Sequence, residues 1–264
     1  TEVELCEGPK DIGESAFYCC SALTRLRLPS TVKRIGKNSF NGVSLWGLHL
    51  FDGVKSVGTN AFCTAKIRKF RVPPLIELLP HGVFRSCTRM VSFELPKNMS
   101  DIEEYAFESC CFLRNIALPL DAVIVADAFK NCSDLAKLFG SQAQIINALI
   151  HRFDGLPIHK LLYYQSYRPV TTKLLSALTS SKLSPTGDQQ DCLGMTPLHI
   201  MACSTIQDLD LYSVVIEKYP RSLVTKDRWG ALPLLYSLWS DAPIEVVQFL
   251  LKNIQSIYPD HQLN

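Results

Sequence analysis

Ten cysteines, six histidines and a cluster of basic residues are the side chains of this 264-residue chain best placed to do chemistry. Cys20, Cys87, Cys110 and Cys132 each stand three residues after a phenylalanine. No Cys-x-x-Cys pair or Cys/His quartet with zinc spacing accompanies them. Equivalent residues on neighbouring strands lie about 4.8 Å apart, whereas a disulfide brings its Cβ atoms to about 3.8 Å. The ladder is therefore expected to be buried packing, since free cysteine behaves as a small hydrophobe. Unpaired thiols in this number fit a reducing compartment, so the expected location is intracellular, cytoplasmic or nuclear. Gly36-Lys37-Asn38-Ser39 looks superficially like a phosphate loop but lacks the upstream glycine. Asn98-Met99-Ser100 and Asn131-Cys132-Ser133 are glycosylation sequons that matter only in a secreted chain.

The elements that position these residues come from a strict period. Phe17, Phe40, Phe62, Phe84, Phe107 and Phe129 recur every 22 or 23 residues, which is the mark of a solenoid. An aliphatic residue stands five places before each, from Ile12 to Ile124, and a small residue usually stands directly before it. An L-x-x-L-x-L frame follows, as in Leu23, Leu26, Leu28 and then Pro29. Its alternating end predicts one strand per repeat, with two side chains inside and one outside. The last copy, Leu135 and Leu138, is read in the same way. Val3-Glu4-Leu5 lies 23 residues before Leu26-Arg27-Leu28, so the chain is expected to open on the strand of an incomplete repeat.

The frame I-G-x-x-A-F-x-x-C-x-x-L-x-x-L-x-L-P resembles the BspA-like class of leucine-rich repeats. Ile12, Gly13, Ala16, Phe17, Cys20, Leu23, Leu26, Leu28 and Pro29 carry it in the first copy. Pro80, Glu103 and Val125 depart from the glycine, and Val43 and Ala65 from the cysteine. The resemblance implies a parallel-strand solenoid over residues 1–140, with six repeats plus a partial one.

After Gly140 the pattern becomes helical. Gly194-Met195-Thr196-Pro197-Leu198-His199 resembles the T-P-L-H start of an ankyrin repeat, and Asp227, Gly230, Pro233 and Leu234 repeat its frame 36 residues later. A weaker copy is Gly155-Leu156-Pro157-Ile158-His159, with one residue fewer between Gly and Pro. Helices are expected over 170–178, 209–219 and 244–257, with a polar loop over 179–190. The resemblance implies about three ankyrin-like repeats over 150–264, in which His159 and His199 brace backbone rather than catalyse. The fold class is thus a repeat solenoid of α+β type, a leucine-rich array followed by an all-α ankyrin-like stack.

The remaining candidate site is the outward face of the strands: Arg25/Arg27, Gly47/His49, Lys69/Arg71, Ser92/Glu94, Asn115/Ala117 and Lys137/Phe139. Arg25, Arg27, His49, Lys69 and Arg71 make its first half basic, which suits a protein partner with an acidic surface. Trp46 and Trp229 are possible anchors. The net charge of +2 is too small to argue for nucleic acid or an anionic membrane, and no run of 18 apolar residues spans a bilayer. No catalytic set, cofactor or metal is expected. The chain reads as a non-enzymatic interaction scaffold; a cell-surface adhesion or receptor fragment, or the regulatory region of a larger multidomain protein, are the alternatives.

Overall fold

The computed structural model describes residues 1–164, 189–204 and 207–259. The helix expected over 170–178 and the loop residues 179–188 lie outside them. The chain divides into two compact units, Thr1–Ile150 and His151–Asn264.

The first unit is a ladder of very short parallel strands: β1 (Glu2–Glu4), β2 (Asp11–Ile12), β3 (Arg25–Arg27), β4 (Arg34–Ile35), β5 (Ser56–Val57), β6 (Lys69–Arg71), β7 (Leu78–Leu79), β8 (Ser92–Glu94), β9 (Asp101–Ile102) and β10 (Val123–Ile124). They form two series. β1 pairs β3 and β6 pairs β8, while the isolated bridges Gly47↔Lys69 and Ser92↔Asn115 extend the same row of repeat positions. On the other side run β2-β4-β5 and β7-β9-β10. The pairing of Val3 with Leu26 and Glu4 with Arg27 places the opening strand in the register expected.

Between the two series, the phenylalanines form a spine. Successive rings of Phe17, Phe40, Phe62, Phe84, Phe107 and Phe129 stack 5.1–6.0 Å apart and within 14° of parallel. Each Phe N–H from Phe17 to Phe107 donates to the carbonyl of the residue preceding the next Phe, at 2.8–2.9 Å. In the first four repeats the residues two before and two after the ring also donate to the following turn, as Asn60 does to His81 and Thr64 to Arg85, and in the fifth Ser109 does so to Lys130. These flanking positions are left-handed: Ser15 and Cys19, Asn38 and Gly42, Asn60 and Thr64, Gly82 and Ser86, Tyr105 and Ser109 all have φ between 52° and 76°. A left-handed residue on each side of the ring aims three successive alternate N–H groups at one neighbour. Small and Asx-type residues tolerate this best, and Tyr105 is the bulky exception.

The last repeat departs from the expected strand. Ser133–Phe139 is a helix (α1), followed by a second over Gln142–Ile150 (α2). Leu135 and Leu138 satisfy a helical period as well as the repeat frame, Asp134 favours the helix start through the macrodipole, and Gly140 ends it at φ 83°. Lys137 and Phe139 therefore belong to a helix and not to the strand face. Leu135, Ile145 and Leu149 are buried. The Leu118 N–H donates to the Leu149 carbonyl and the Phe129 N–H to Gln142 Oε1, so these helices close the end of the ladder.

The second unit contains α3 (Pro157–Tyr163), α4 (Pro197–Cys203), α5 (Leu209–Lys218), a 3-10 turn (Pro220–Leu223), α6 (Pro233–Trp239) and α7 (Ile244–Ile257). Proline opens α3, α4 and α6, where its missing N–H costs nothing. Asp191 and Asp227, 36 residues apart, build the same turn. Asp191 Oδ1 accepts from the Leu193 and Met195 N–H groups, Asp227 Oδ1 from those of Trp229 and Ala231. Gly194 and Gly230 complete the turns at φ 76° and 79°.

Candidate partner-binding site

The cysteine ladder is a packing device with one added feature. Cys87, Cys110 and Cys132 are buried, and each thiol donates to the carbonyl of the phenylalanine one repeat earlier: Cys87 to Phe62 at 3.1 Å, Cys110 to Phe84 at 3.2 Å, Cys132 to Phe107 at 3.1 Å. Burial pushes all three thiols up, Cys132 to about 12. A thiolate there would lose both its solvation and its bond to a carbonyl that can only accept. Cys20 breaks the expectation: it is exposed.

His159 and His199 of the second unit are also braces. The Thr196 N–H can only donate, so His199 Nδ1 accepts it at 3.1 Å. The proton then sits on Nε2, which donates to the Ala231 carbonyl at 3.1 Å. Burial holds His199 below the usual imidazole range. His159 Nε2 likewise reaches the carbonyls of Gln189 and Met195. Leu156 stands where the second copy has Thr196, and among the described residues His159 Nδ1 has no partner. Arg152 and Asp191 form a fully buried ion pair at 2.7 Å, the guanidinium lying 4.7 Å over Phe153. At the later turn Tyr236 bonds Asp227 instead. Among the described residues no three His, Cys, Asp or Glu side chains gather as metal ligands. Among the described residues no helix is long and apolar enough to cross a membrane.

What is left is the outward strand face of the first unit, and it differs from the expected basic strip. Arg25 and Arg27 are exposed, but the register sets Glu2 beside Arg25 and Glu4 beside Arg27, with Arg27 Nη1 3.9 Å from Glu4 Oε1. At such exposure that contact contributes about 0–1 kcal/mol. Arg71 is more deeply held: its side chain is 9% exposed, lies 2.7 Å from Asp52 and pairs in register with Glu94. Lys69 is half-buried opposite Ser92. Further along, Ser92, Glu94, Asn115 and Ala117 are all buried, so the later half of the face is not an exposed surface. The Asn115 amide donates to Ser92 Oγ within it.

The exposed part centres on the second repeat. Trp46 is 51% exposed with the Arg68 guanidinium 5.7 Å from its ring centre, and Phe51 is 38% exposed with its ring edge-on to His49. Trp229 is half-buried. Burial first, and then the Arg71 charge, hold His49 below the ordinary imidazole range, with Asp52 opposing. Beside it an open cleft of about 580 Å³ is lined by Glu4, Glu7, Arg27, His49 and Phe51 over a floor of leucines. Glu7 is committed to structure there, accepting from Ser30 and Thr31. The aromatic cluster was partly legible: Phe51 stands where the other repeats carry Pro29, Pro73, Pro96 and Pro119. Glu2 and Glu4 were missed because the face was counted from the first full repeat.

Short parallel strands returning every 22 or 23 residues around a stacked aromatic spine define a leucine-rich β-solenoid. Residues 10–136 match the BspA type leucine rich repeat region in six copies. No curated protein matches the chain. Among solved structures, a leucine-rich repeat protein from Bacteroides ovatus is 27% identical over 50% of this chain and 41% of its own, with a TM-score of 0.42. The T. pallidum leucine rich repeat protein is 29% identical over 50% and 65%, at 0.45. A leucine rich cell surface protein from Faecalibacterium prausnitzii is 20% identical over 50% and 57%, at 0.24. The chain thus spans 41% to 65% of the length of these three relatives.

Proposed function

We propose that this chain is a non-enzymatic protein-interaction module that binds its partner on the outward strand face of the first three repeats. The observation that carries the reading is the composition of that face: exposed Trp46 and Phe51 among Arg25, Arg27 and Arg68, bordering an open cleft. Exposed aromatics and arginines are the residues that dominate interface energies. The interior beneath is filled by Phe40, Phe62 and the leucines. We read the second unit as ankyrin-like, on the repeated Asp turns and the histidine braces, and its hairpin turns as a second contact surface. An acidic partner remains the favoured chemistry, moderated by Glu2 and Glu4. The reducing location rests on ten free thiols, and a glycan on Asn98 of the native protein would refute it.

The test is capture from lysate on the folded chain, read by mass spectrometry, with Arg25→Glu/Arg27→Glu as the comparison. Both side chains are exposed, and the reversal sets them against Glu2 and Glu4 at a cost of about 0.2–1 kcal/mol per pair, whereas Arg71→Glu would also break the half-buried contact to Asp52. A protein retained by the native chain and lost with the reversed pair supports the reading. Equal capture by both refutes it.

A further inference from the structure

The series β7-β9-β10 ends on a strand edge that the chain leaves open. In the turn before it, the carbonyls of Ser100 and Ile102 accept from the Val123 and Val125 N–H groups. One turn on, the same positions are Ala122 and Ile124, and helices α1 and α2 stand where the next strand would come. Those helices close the other row of strands at Leu118 and the spine at Phe129, and Gln142 reaches Asp127, three residues past β10. Among the described residues the Ala122 and Ile124 carbonyls and the Ile124 N–H have no hydrogen-bond partner. Ile124 is half-buried, whereas Leu79 and Ile102, at the same position in the two preceding turns, are fully buried. The run Leu120-Asp121-Ala122-Val123-Ile124-Val125-Ala126 is uncharged except for Asp121. Val123 is 64% exposed, and Leu120 and Val125 are exposed as well. Open edges are ordinarily blunted by charge, and the first strands follow that rule: β1 carries Glu2 and Glu4, β2 carries Asp11. Where a series breaks within the ladder, as after β5, the next turn continues beside it, with the Asn60 N–H on the His81 carbonyl.

We infer that β10 is a strand-addition site, and that its occupant is an extended segment of a partner protein, β-branched in its run and carrying a lysine or arginine. The acceptor, donor and acceptor at Ala122 and Ile124 suit an incoming backbone, which continues the ladder at a spacing of about 4.8 Å. Main-chain hydrogen bonds supply the affinity in such an addition, and alternate side chains the selectivity. Residues on one face of the segment lie against Val123 and Val125, and those on the other complete the burial of Ile124. Charge sets the sign of the partner. Asp121 is exposed and makes no ion pair among the described residues, and Asp101 stands in register beside Val123. Asp127, by contrast, is held by Lys130 and Gln142. A second copy of this chain suits the edge less well, because antiparallel pairing of Ile124 with its counterpart sets Asp121 against the copy's Asp127. The site lies on the other series of strands from the partner-binding face proposed above, and it stands or falls independently of that reading.

The experiment measures binding of the blocked peptide Lys-Val-Thr-Val-Thr-Lys to the full chain by calorimetry. One control carries Glu for both lysines; another keeps every side chain but has its four central amides N-methylated, so that it cannot donate to a strand. Val123→Lys and Asp121→Lys change the edge at two exposed positions, and a native thermal midpoint checks that each variant folds. Expected is saturable binding of the basic peptide to the native chain, lost on N-methylation. Exchange of Glu for Lys in the peptide, Val123→Lys and Asp121→Lys should each weaken it at least about tenfold. Absence of saturation up to about 1 mM, equal binding of the N-methylated peptide, or unchanged affinity for Val123→Lys overturns the proposal. Concentration-dependent dimerisation of the native chain in sedimentation, abolished by Val123→Lys, would also overturn it by assigning the edge to a second copy. Peptide binding that survives Val123→Lys but not Arg25→Glu/Arg27→Glu sinks the strand-addition site and leaves the reading of the other face standing.

Discussion

At the scale of single residues, the spine phenylalanine and the ladder cysteine do different jobs in adjoining places. Phe107 is fully buried, stacked between Phe84 and Phe129 and met edge-on by Phe93 at 4.7 Å. Phe107→Ala should cost about 3–5 kcal/mol, read as a lower urea midpoint at unchanged slope. Phe17→Ala should cost clearly less, because its ring is half-exposed and has one stacking neighbour. The cysteines predict a reactivity pattern instead. At pH 8 a thiol reagent should modify Cys20 in the native protein within the time that Cys87, Cys110 and Cys132 remain unmodified, and all four after denaturation. Peptide mapping of the labelled protein checks this; native labelling of Cys110 would contradict the buried thiol-to-carbonyl bond. The phenylalanine period was plain in the sequence because one residue type recurs in register. The paired left-handed positions were not, because Ser, Cys, Asn, Thr and Tyr all occupy them, and no single letter marks a positive φ.

At the scale of elements, the helical turns of the second unit carry a pH dependence. Burial pulls the His159 imidazole down to about 4, with Arg152 acting in the same sense and Asp191 opposing. In the unfolded chain the ordinary value near 6.5 applies. Between these values the unfolded state binds more protons than the folded one, so stability rises with pH across that window. It is fully present above 6.5 and lost as pH falls toward 4, a change of roughly 3 kcal/mol for this group. His199, shifted in the same direction, adds to it. In a Trp46→Phe chain the two remaining tryptophans, Trp229 and Trp239, both report the second unit. Their thermal transition should fall steadily from pH 7 to pH 4.5, and His159→Gln should flatten that slope; an unaltered slope would remove His159 as the cause. The sequence showed the helix starts here, since Pro at the first turn and Gly before it are strong punctuation. It did not show Arg152, whose partner Asp191 is 39 residues away and whose neighbours carry no repeat pattern. The same limit misled the last leucine-rich copy. Leu135 and Leu138 fit strand frame and helix alike, and only the loss of a following proline and the Gly140 terminus separate them.

At the scale of the molecule, the ladder must end somewhere, and an end costs buried surface. A solenoid turn covers only its neighbours, so the last turn needs a lid of different structure. In the first unit that lid is α1 and α2, which bury Leu135, Ile145 and Leu149 and tie Arg114 to Asp134 at 2.7 Å. Fully burying such side chains is worth about 1.5–3 kcal/mol each, so three of them carry roughly 5–9 kcal/mol. That is the size of a domain's whole stability, about 5–15 kcal/mol. Residues 1–150, made as a separate chain, should therefore denature cooperatively with the repeat array intact. A chain ending at residue 132 should not: it would lose the Gln142 bond to the Phe129 amide and the helix face over the last turn, and should be soluble only with a broadened, early transition. Urea denaturation of the two chains, followed by circular dichroism, decides the matter. Equal midpoints would mean that the repeats hold themselves and that the helices are an appendage. A large loss confined to the shorter chain would make the helix pair the element that lets a one-dimensional array hold its exposed second repeat rigid enough to be a binding surface.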